Sequence, residues 1–172
     1  MTRDPAVPAA PCVGHVHLRV ADLERAIRFY RDVLGFALTQ RYGDKAAFLG
    51  AGGYHHHVGL NVWESEGGSP PPPGHTGLYH AAFLYPDRAA LAAVIRRVRG
   101  AGILFDGAAH HGVSTAVYLR DPDGNGVELY ADLPREHWPR DAAGGLAMGN
   151  DRFDIDAFLA EVAAEGGGAA GA

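Results

Sequence analysis

The sequence predicts an α+β fold in which two βαβββ modules follow one another and form an open mixed β-sheet, or half-barrel, around a central cavity. His15 and Asp22 are seven residues apart, as are His80 and Asp87, and each aspartate opens a predicted helix. A Pro- and Gly-rich linker, residues 67–77, separates the two copies. A histidine at the same place in each copy suggests that the two imidazoles meet near a pseudo-twofold axis. Such a pair is half of a metal site.

Composition limits the classes of partner. The chain has 172 residues, 47% of them hydrophobic, enough for one domain or two half-domains that share a core. A net charge of −5 without a basic cluster argues against nucleic acid or an anionic membrane as the main partner. The single cysteine, Cys12, excludes an intrachain disulfide, and no stretch reaches the roughly 18 apolar residues of a membrane span. We therefore expect a cytoplasmic protein with a small-molecule ligand.

Module 1, residues 13–66, begins with a strand in which His15 and His17 share a face and alternate with aliphatic residues. Asp22 is predicted to cap the following helix, which ends at Gly35. Three short strands are predicted near residues 36–42, 46–50 and 55–63.

Module 2, residues 78–132, repeats this order. A strand at residues 78–85 precedes a helix that Asp87 caps and that stops at Gly100 and Gly102. Three strands are predicted near residues 103–105, 114–120 and 126–130. The turn DPDGNG joins the last two.

The two ends are not expected to carry chemistry. Residues 1–12, rich in Ala and Pro, predict a flexible N-terminal arm. Residues 133–172 predict a C-terminal extension with a short amphipathic helix near residues 155–162 and a flexible tail from Glu165. We expect this helix to pack outside the repeat.

Glu128, in the last predicted strand of module 2, alternates with aliphatic residues and so shares the non-core face with His15 and His80. Taken alone, each of these residues is at least as typical of a solvent-exposed position on a strand as of a metal ligand. Together, two histidines and one carboxylate form a set that binds a divalent metal and leaves positions open, which with Fe(II) can hold substrate and dioxygen. His17 shares the face of His15 and is the alternative ligand, but the repeat register favours His15.

Three further residues are candidates for catalysis. Strand parity predicts that His57, in the run YHHHV, faces the cavity as a proton acceptor; the alternative is a histidine that only covers the strand end. Hairpin pairing would bring the Tyr118 hydroxyl near Glu128, although an aromatic that only fills cross-strand space is the alternative. His110 and His111 precede that strand in a predicted loop, and we favour His111 as a substrate contact.

The segments GHVHLRVADLERAIRFYRDVLGF and DPDGNGVELY resemble the vicinal oxygen chelate superfamily, which includes glyoxalase I, extradiol ring-cleaving dioxygenases and the bleomycin and fosfomycin resistance proteins. The resemblance covers about residues 13–132 and implies metal ligation by His15, His80 and Glu128. A fourth position, acidic in the glyoxalases, falls at or near Gly59, which leaves the ligand set of the extradiol dioxygenases.

The run AAFLGAGGYHHHVGLNVW is similar to catechol-2,3-dioxygenase-type members of the superfamily. This similarity implies that His57 acts as the acid–base residue and that Tyr118 lies at the metal. Our first hypothesis is therefore a non-haem Fe(II) or Mn(II) dioxygenase that cleaves a catechol-like vicinal diol with O2.

Two alternatives remain at this point. One is a glyoxalase I-type lyase or isomerase with Ni(II) or Zn(II), which lacks its expected carboxylate base unless Glu64 or Glu66 replaces it. The other is a non-catalytic protein that binds a drug or metabolite, as bleomycin resistance proteins do. The resemblance also allows a homodimer in which modules are exchanged, so that His15 and His80 of one chain serve different metals.

Overall fold

The computed structural model of the protein describes residues 12–168, so residues 1–11 of the predicted arm and residues 169–172 of the predicted tail lie outside it. The prediction of a flexible tail from Glu165 is wrong for residues 165–168, which continue the last helix. Each module forms a mixed sheet of its own, which confirms the predicted α+β fold with open sheets and a C-terminal helix. Module 1 contains β1 (Val16–Arg19), α1 (Leu23–Arg28), β2 (Ala37–Tyr42), β3 (Ala46–Gly50) and β4 (Val58–Asn61). The later elements are β5 (Ala81–Leu84), α2 (Arg88–Gly100), β6 (Phe105–His110), β7 (Ser114–Arg120), β8 (Gly126–Asp132), β9 (Asp151–Arg152) and α3 (Ile155–Gly168).

The two sheets share one topology. The first has the order β1-β4-β3-β2 and the second β5-β8-β7-β6-β9, and in each the edge strand β1 or β5 is parallel to its neighbour. His15 directly precedes β1 and His80 directly precedes β5, so the duplication places one histidine at the same edge of each sheet. The strand predicted near residues 103–105 is found as β6, which begins at Phe105 and continues to His110. His110 therefore lies in a strand, and His111 directly follows it.

Aspartates cap the first helix of each module, as the sequence predicts. Asp22 accepts a hydrogen bond from the amide of Arg25 at 3.0 Å, and Asp87 accepts one from the amide of Ala90 at 2.8 Å. The first helix continues beyond α1 as a π-helical turn, Phe29–Val33, which the sequence did not predict. None of the helices within residues 12–168 is long and apolar enough to cross a membrane.

One hydrophobic core joins the modules. The large side chains that are fully buried in it include Ile27, Leu49, Leu60, Leu91, Ile95, Leu119 and Leu129. Tyr30, buried in this core, donates a hydrogen bond from its hydroxyl to Oδ2 of Asp121 at 3.0 Å. Burial, with the nearby Asp121 carboxylate, raises the pKa of Tyr30 well above its ordinary value. Asp121 also accepts from the amides of Asp123 and Asn125, so it ties the DPDGNG turn of module 2 to the helix of module 1.

Replacing Asp121 with Ala is expected to lower the free energy of unfolding by about 3 kcal/mol, because it leaves the buried Tyr30 hydroxyl and two amides without their acceptor. Urea denaturation measures the loss. Asp141→Ala is the matched control, since Asp141 makes similar loop hydrogen bonds from an exposed position. Equal losses in the two variants would contradict a special role for the buried carboxylate.

The C-terminal helix is more closely integrated with the repeat than the sequence indicated. Phe158 and Val162 of α3 are only 2% and 8% exposed and belong to the common core. The strand β9, which no sequence pattern indicated, pairs with β6 and adds a fifth strand to the second sheet. The ring of Phe153 then stacks on His110 at 4.3 Å between centroids. The amphipathic helix buries its apolar face on module 2, so the extension is part of the fold.

Candidate active site

The structure brings His80 and Glu128 into direct contact. Glu128 on β8 is in register with Ala82 on the neighbouring β5, two residues after His80. Nε2 of His80 lies 2.9 Å from Oε2 of Glu128, and the two side chains are 31% and 12% exposed. An imidazole nitrogen and a carboxylate oxygen thus meet at the end of a parallel strand pair, within reach of solvent.

Tyr118 and His111 extend this contact into a hydrogen-bonded chain. The register of β7 with β8 pairs Tyr118 with Glu128, and the two side chains are 3.1 Å apart through the hydroxyl and Oε1. Nε2 of His111 lies 2.6 Å from the same hydroxyl, and Nδ1 of His111 lies 2.9 Å from the carbonyl oxygen of Gly149.

The number of protons available limits which atoms donate and which accept in this series of hydrogen bonds. The carbonyl of Gly149 can only accept, so Nδ1 of His111 donates to it, while the Tyr118 hydroxyl donates to Glu128 and also contacts Nε2 of His111. Burial and the Glu128 carboxylate raise the pKa of Tyr118 to about 12, so the phenol keeps its proton at neutral pH. Tyr118 is therefore a hydrogen-bond donor beside the carboxylate.

The first sheet carries a second cluster of imidazoles. The rings of His15 and His56 are 4.4 Å apart between centroids, and Nδ1 of His55 lies 2.7 Å from Nδ1 of His56. Partial burial, with the neighbouring His15, lowers the pKa of His56. His17 covers Gly59, where a Cβ would lie 2.8 Å from the His17 ring, so Gly59 provides the space that this ring occupies.

The structure corrects the expected orientation of His57. The strand predicted over residues 55–63 is β4, which begins only at Val58, so strand parity does not apply to the histidines before it. Nδ1 of His57 accepts a hydrogen bond from the amide of Ala51 at 3.2 Å, and its ring lies 4.7 Å from that of Tyr54. The ring beside His15 is that of His56.

The three predicted metal ligands do not meet in one chain. Within residues 12–168, no group of three or more His, Cys, Asp or Glu side chains is close enough to hold a metal ion. His80 and Glu128 fit two ligand positions, because they are a nitrogen and a carboxylate donor that already face each other. His15 lies with His56 on the other sheet. His15 and the pair of His80 with Glu128 therefore lie at separate places in the described structure.

A cavity of about 310 Å³ opens beside His80 and Tyr118. Arg120 and Arg152 also line it. Its volume is near the lower end of the roughly 300–1,000 Å³ that is usual for small-molecule sites. The cavity therefore suits a small ligand, such as one substituted ring.

Comparison with known proteins gives consistent matches. The family model described as the Glyoxalase/Bleomycin resistance protein/Dioxygenase superfamily matches residues 13–129. Catechol-2,3-dioxygenase of Bacillus subtilis (strain 168) is 40% identical over 154 residues, which are 89% of this chain and 53% of that protein. Biphenyl-2,3-diol 1,2-dioxygenase 3 of Rhodococcus globerulus is 37% identical over 125 residues, 71% of this chain and 64% of that protein. The chain thus spans less than two thirds of the length of either relative.

A solved structure of lactoylglutathione lyase from Agrobacterium tumefaciens matches with a TM-score of 0.55 and 25% identity, covering 72% of this chain and 95% of that one. The matches therefore include both dioxygenases and a lyase of one fold.

Proposed function

Because the chain belongs to the glyoxalase/bleomycin resistance/dioxygenase superfamily, we propose that it is a metal-dependent dioxygenase that cleaves the ring of a catechol-like vicinal diol with O2. The observation that carries the proposal is the contact of His80 with Glu128, extended by the Tyr118 hydroxyl and open to a cavity for one ring. Two dioxygenases among the relatives, at 40% and 37% identity, support the same reaction class.

The metal would be held by His80 and Glu128 of one chain and by His15 of a second copy. A divalent ion such as Fe(II) or Mn(II), held by these residues, would supply Lewis-acid activation of the diol hydroxyls and redox chemistry toward O2. A second copy is the source of His15 because the same chain keeps His15 away from the other two ligands.

Exposed apolar side chains favour such a dimer. Leu84, on the same face of β5 as His80, is 55% exposed, and Tyr79 next to His80 is 82% exposed. Trp63, whose ring lies 5.8 Å from that of His17 on the first sheet, is 56% exposed. Large apolar side chains near both clusters are typical of a surface that a partner covers. In a twofold dimer, the pair of His80 and Glu128 from each chain would meet His15 of the other chain, which gives two equal sites.

The chain's own groups would then hold the diol and move its proton. The Tyr118 hydroxyl would donate a hydrogen bond to an oxygen bound beside Glu128, and His111 would keep that hydroxyl in place. His56 would accept a proton from a diol hydroxyl, because its ring lies against that of His15 and would enter the site with it.

Replacing His56 with Gln is expected to lower kcat by about 100-fold, the usual loss when a general base is removed. His57→Gln is the matched control and is expected to retain most of the activity, since the His57 ring packs near Tyr54 instead of His15. Steady-state rates for both variants at equal metal content decide the assignment. A larger loss in His57→Gln would return the role of proton acceptor to His57.

The glyoxalase-type lyase is the weaker candidate. Its additional carboxylate would stand at or near Gly59, where the His17 ring leaves no space for a side chain. Glu64 and Glu66 are exposed and pair with basic side chains at 3.4 and 2.6 Å. Oxygen-electrode assays after anaerobic loading with Fe(II) separate the reactions, because a lyase consumes no O2. Uptake with a panel of catechols supports the dioxygenase, and metal-loaded protein without uptake contradicts it.

A further inference from the structure

We propose that Arg152 selects a diol that carries a carboxylate, by pairing with this group while the ring lies beside His80 and Tyr118. The proposal deepens the proposed function and rests on it. Arg152 belongs to the C-terminal extension, beyond the residues 13–129 that match the family model. The proposal therefore gives this extension a role in substrate choice.

Pairing of β9 holds Arg152 at the cavity. Arg152 is in register with Ala109 of β6, and both residues line the 310 Å³ cavity together with His80. The next residue, Phe153, stacks on the ring of His110 at 4.3 Å. Phe158, buried in the core, fixes the helix that follows β9. The backbone of Arg152 is therefore anchored on both sides, whereas its side chain is exposed to the cavity.

The positive charge of Arg152 is not balanced by the carboxylates around it. Among the described residues, no carboxylate oxygen lies within the 4.0 Å of an ion pair with Arg152. Asp106, which lines the same cavity, pairs with Arg120 at 2.8 Å. Asp154 accepts a hydrogen bond from the amide of Ala157 at 2.9 Å and so caps α3.

Asp156 is also engaged, in an ion pair with Arg99. Asp106 and Asp156 thus pair with arginines other than Arg152. With the Arg120 charge paired to Asp106, the cavity lining keeps the positive charge of Arg152.

The chemistry of the guanidinium favours a carboxylate as the occupant. Its planar N–H groups match the two oxygens of a carboxylate, and such charge-assisted pairs are stronger than neutral hydrogen bonds. His80 and Tyr118 line the same small cavity, so one ring with a short acidic substituent can contact these two residues while the substituent contacts Arg152. A neutral catechol would leave the positive charge without a partner.

The test compares 3,4-dihydroxybenzoate with 4-methylcatechol, which has a methyl group in place of the carboxylate. Wild-type protein is expected to prefer the acid, and Arg152→Gln is expected to reduce the ratio of the two kcat/KM values by about tenfold or more. Arg152→Lys should keep part of the preference, because it keeps the charge but loses the fork geometry. Arg28→Gln, which removes an exposed arginine away from the cavity, should leave the ratio at its wild-type value.

Anaerobic calorimetry of both diols with wild type and Arg152→Gln gives a readout that does not depend on turnover. An unchanged ratio of binding constants in Arg152→Gln would overturn the role of Arg152. If wild-type protein turns over neither diol yet binds the acid more tightly through Arg152, the dioxygenase assignment fails while the selection of an anionic ligand stands. Equal binding of acid and neutral diol by wild type would also overturn the proposal.

Discussion

In the His80→Ala variant, bound Fe(II) and ring-cleaving activity are expected to disappear together. His80 provides the only imidazole nitrogen in direct contact with Glu128 among the described residues, at 2.9 Å. Removing a residue that merely orients a ligand costs about 10–100-fold in metal affinity, so loss of the ligand itself should exceed 100-fold. Metal content after anaerobic loading and dialysis, on protein without a His tag, measures the effect.

The matched control is His137→Ala, which removes an exposed histidine from the short 3₁₀ turn at Arg135–His137, away from the cavity lining. It should leave metal content and turnover as in wild type. Thermal denaturation should show both variants folded, because His80 is only partly buried and His137 is exposed. Full metal content with retained turnover in His80→Ala would reject His80 as a ligand.

Mixing two inactive variants is expected to restore activity. His15→Ala and His80→Ala lose different parts of the ligand set, which one chain holds on separate sheets. In a twofold dimer with ligands from both chains, each mixed dimer has one intact and one doubly damaged site. Random reassociation makes about half of the dimers mixed, so about one quarter of the wild-type sites should return. Metal content and turnover of the mixture measure this fraction.

A control with the same design uses His80→Ala mixed with Glu128→Ala. These residues are in contact and belong to the same half of the site, so no mixed dimer has an intact set. This mixture should restore nothing. If the mixture of His15→Ala with His80→Ala also restores no activity, although the chains exchange between dimers, the proposal of a site shared by two chains is wrong.

Much of the fold could be predicted from local sequence. The capping aspartates Asp22 and Asp87 and the alternation around His15 and Glu128 each depend on a few neighbouring residues. Their repetition at one spacing predicted two modules with like topology. The contact of Tyr118 with Glu128 also follows from local pairing, because one tight turn joins β7 to β8.

Other features depend on tertiary packing. The run of three histidines contains no residue that marks where β4 begins, so parity could not distinguish His56 from His57. β9 has only two residues, too few for a periodic pattern, and its pairing with β6 is a tertiary contact that local sequence does not encode. The place of Arg152 in the cavity follows from that pairing.

The separation of His15 from the His80 and Glu128 pair also depends on how the modules pack. The repeat predicts one histidine at the same edge of each sheet, but it does not state which two sheets face each other. That arrangement depends on contacts between the modules within the common core, such as that of Tyr30 with Asp121.

The most direct test of the proposed reaction is isotopic. Fe(II)-loaded protein is incubated with a catechol under ¹⁸O₂, and the ring-opened product is analysed by mass spectrometry. A dioxygenase transfers both atoms of O2 to the substrate, so the account predicts a product that carries two ¹⁸O atoms, after correction for exchange with water. A product without label, or an isomerised substrate formed without O2, would contradict the assignment.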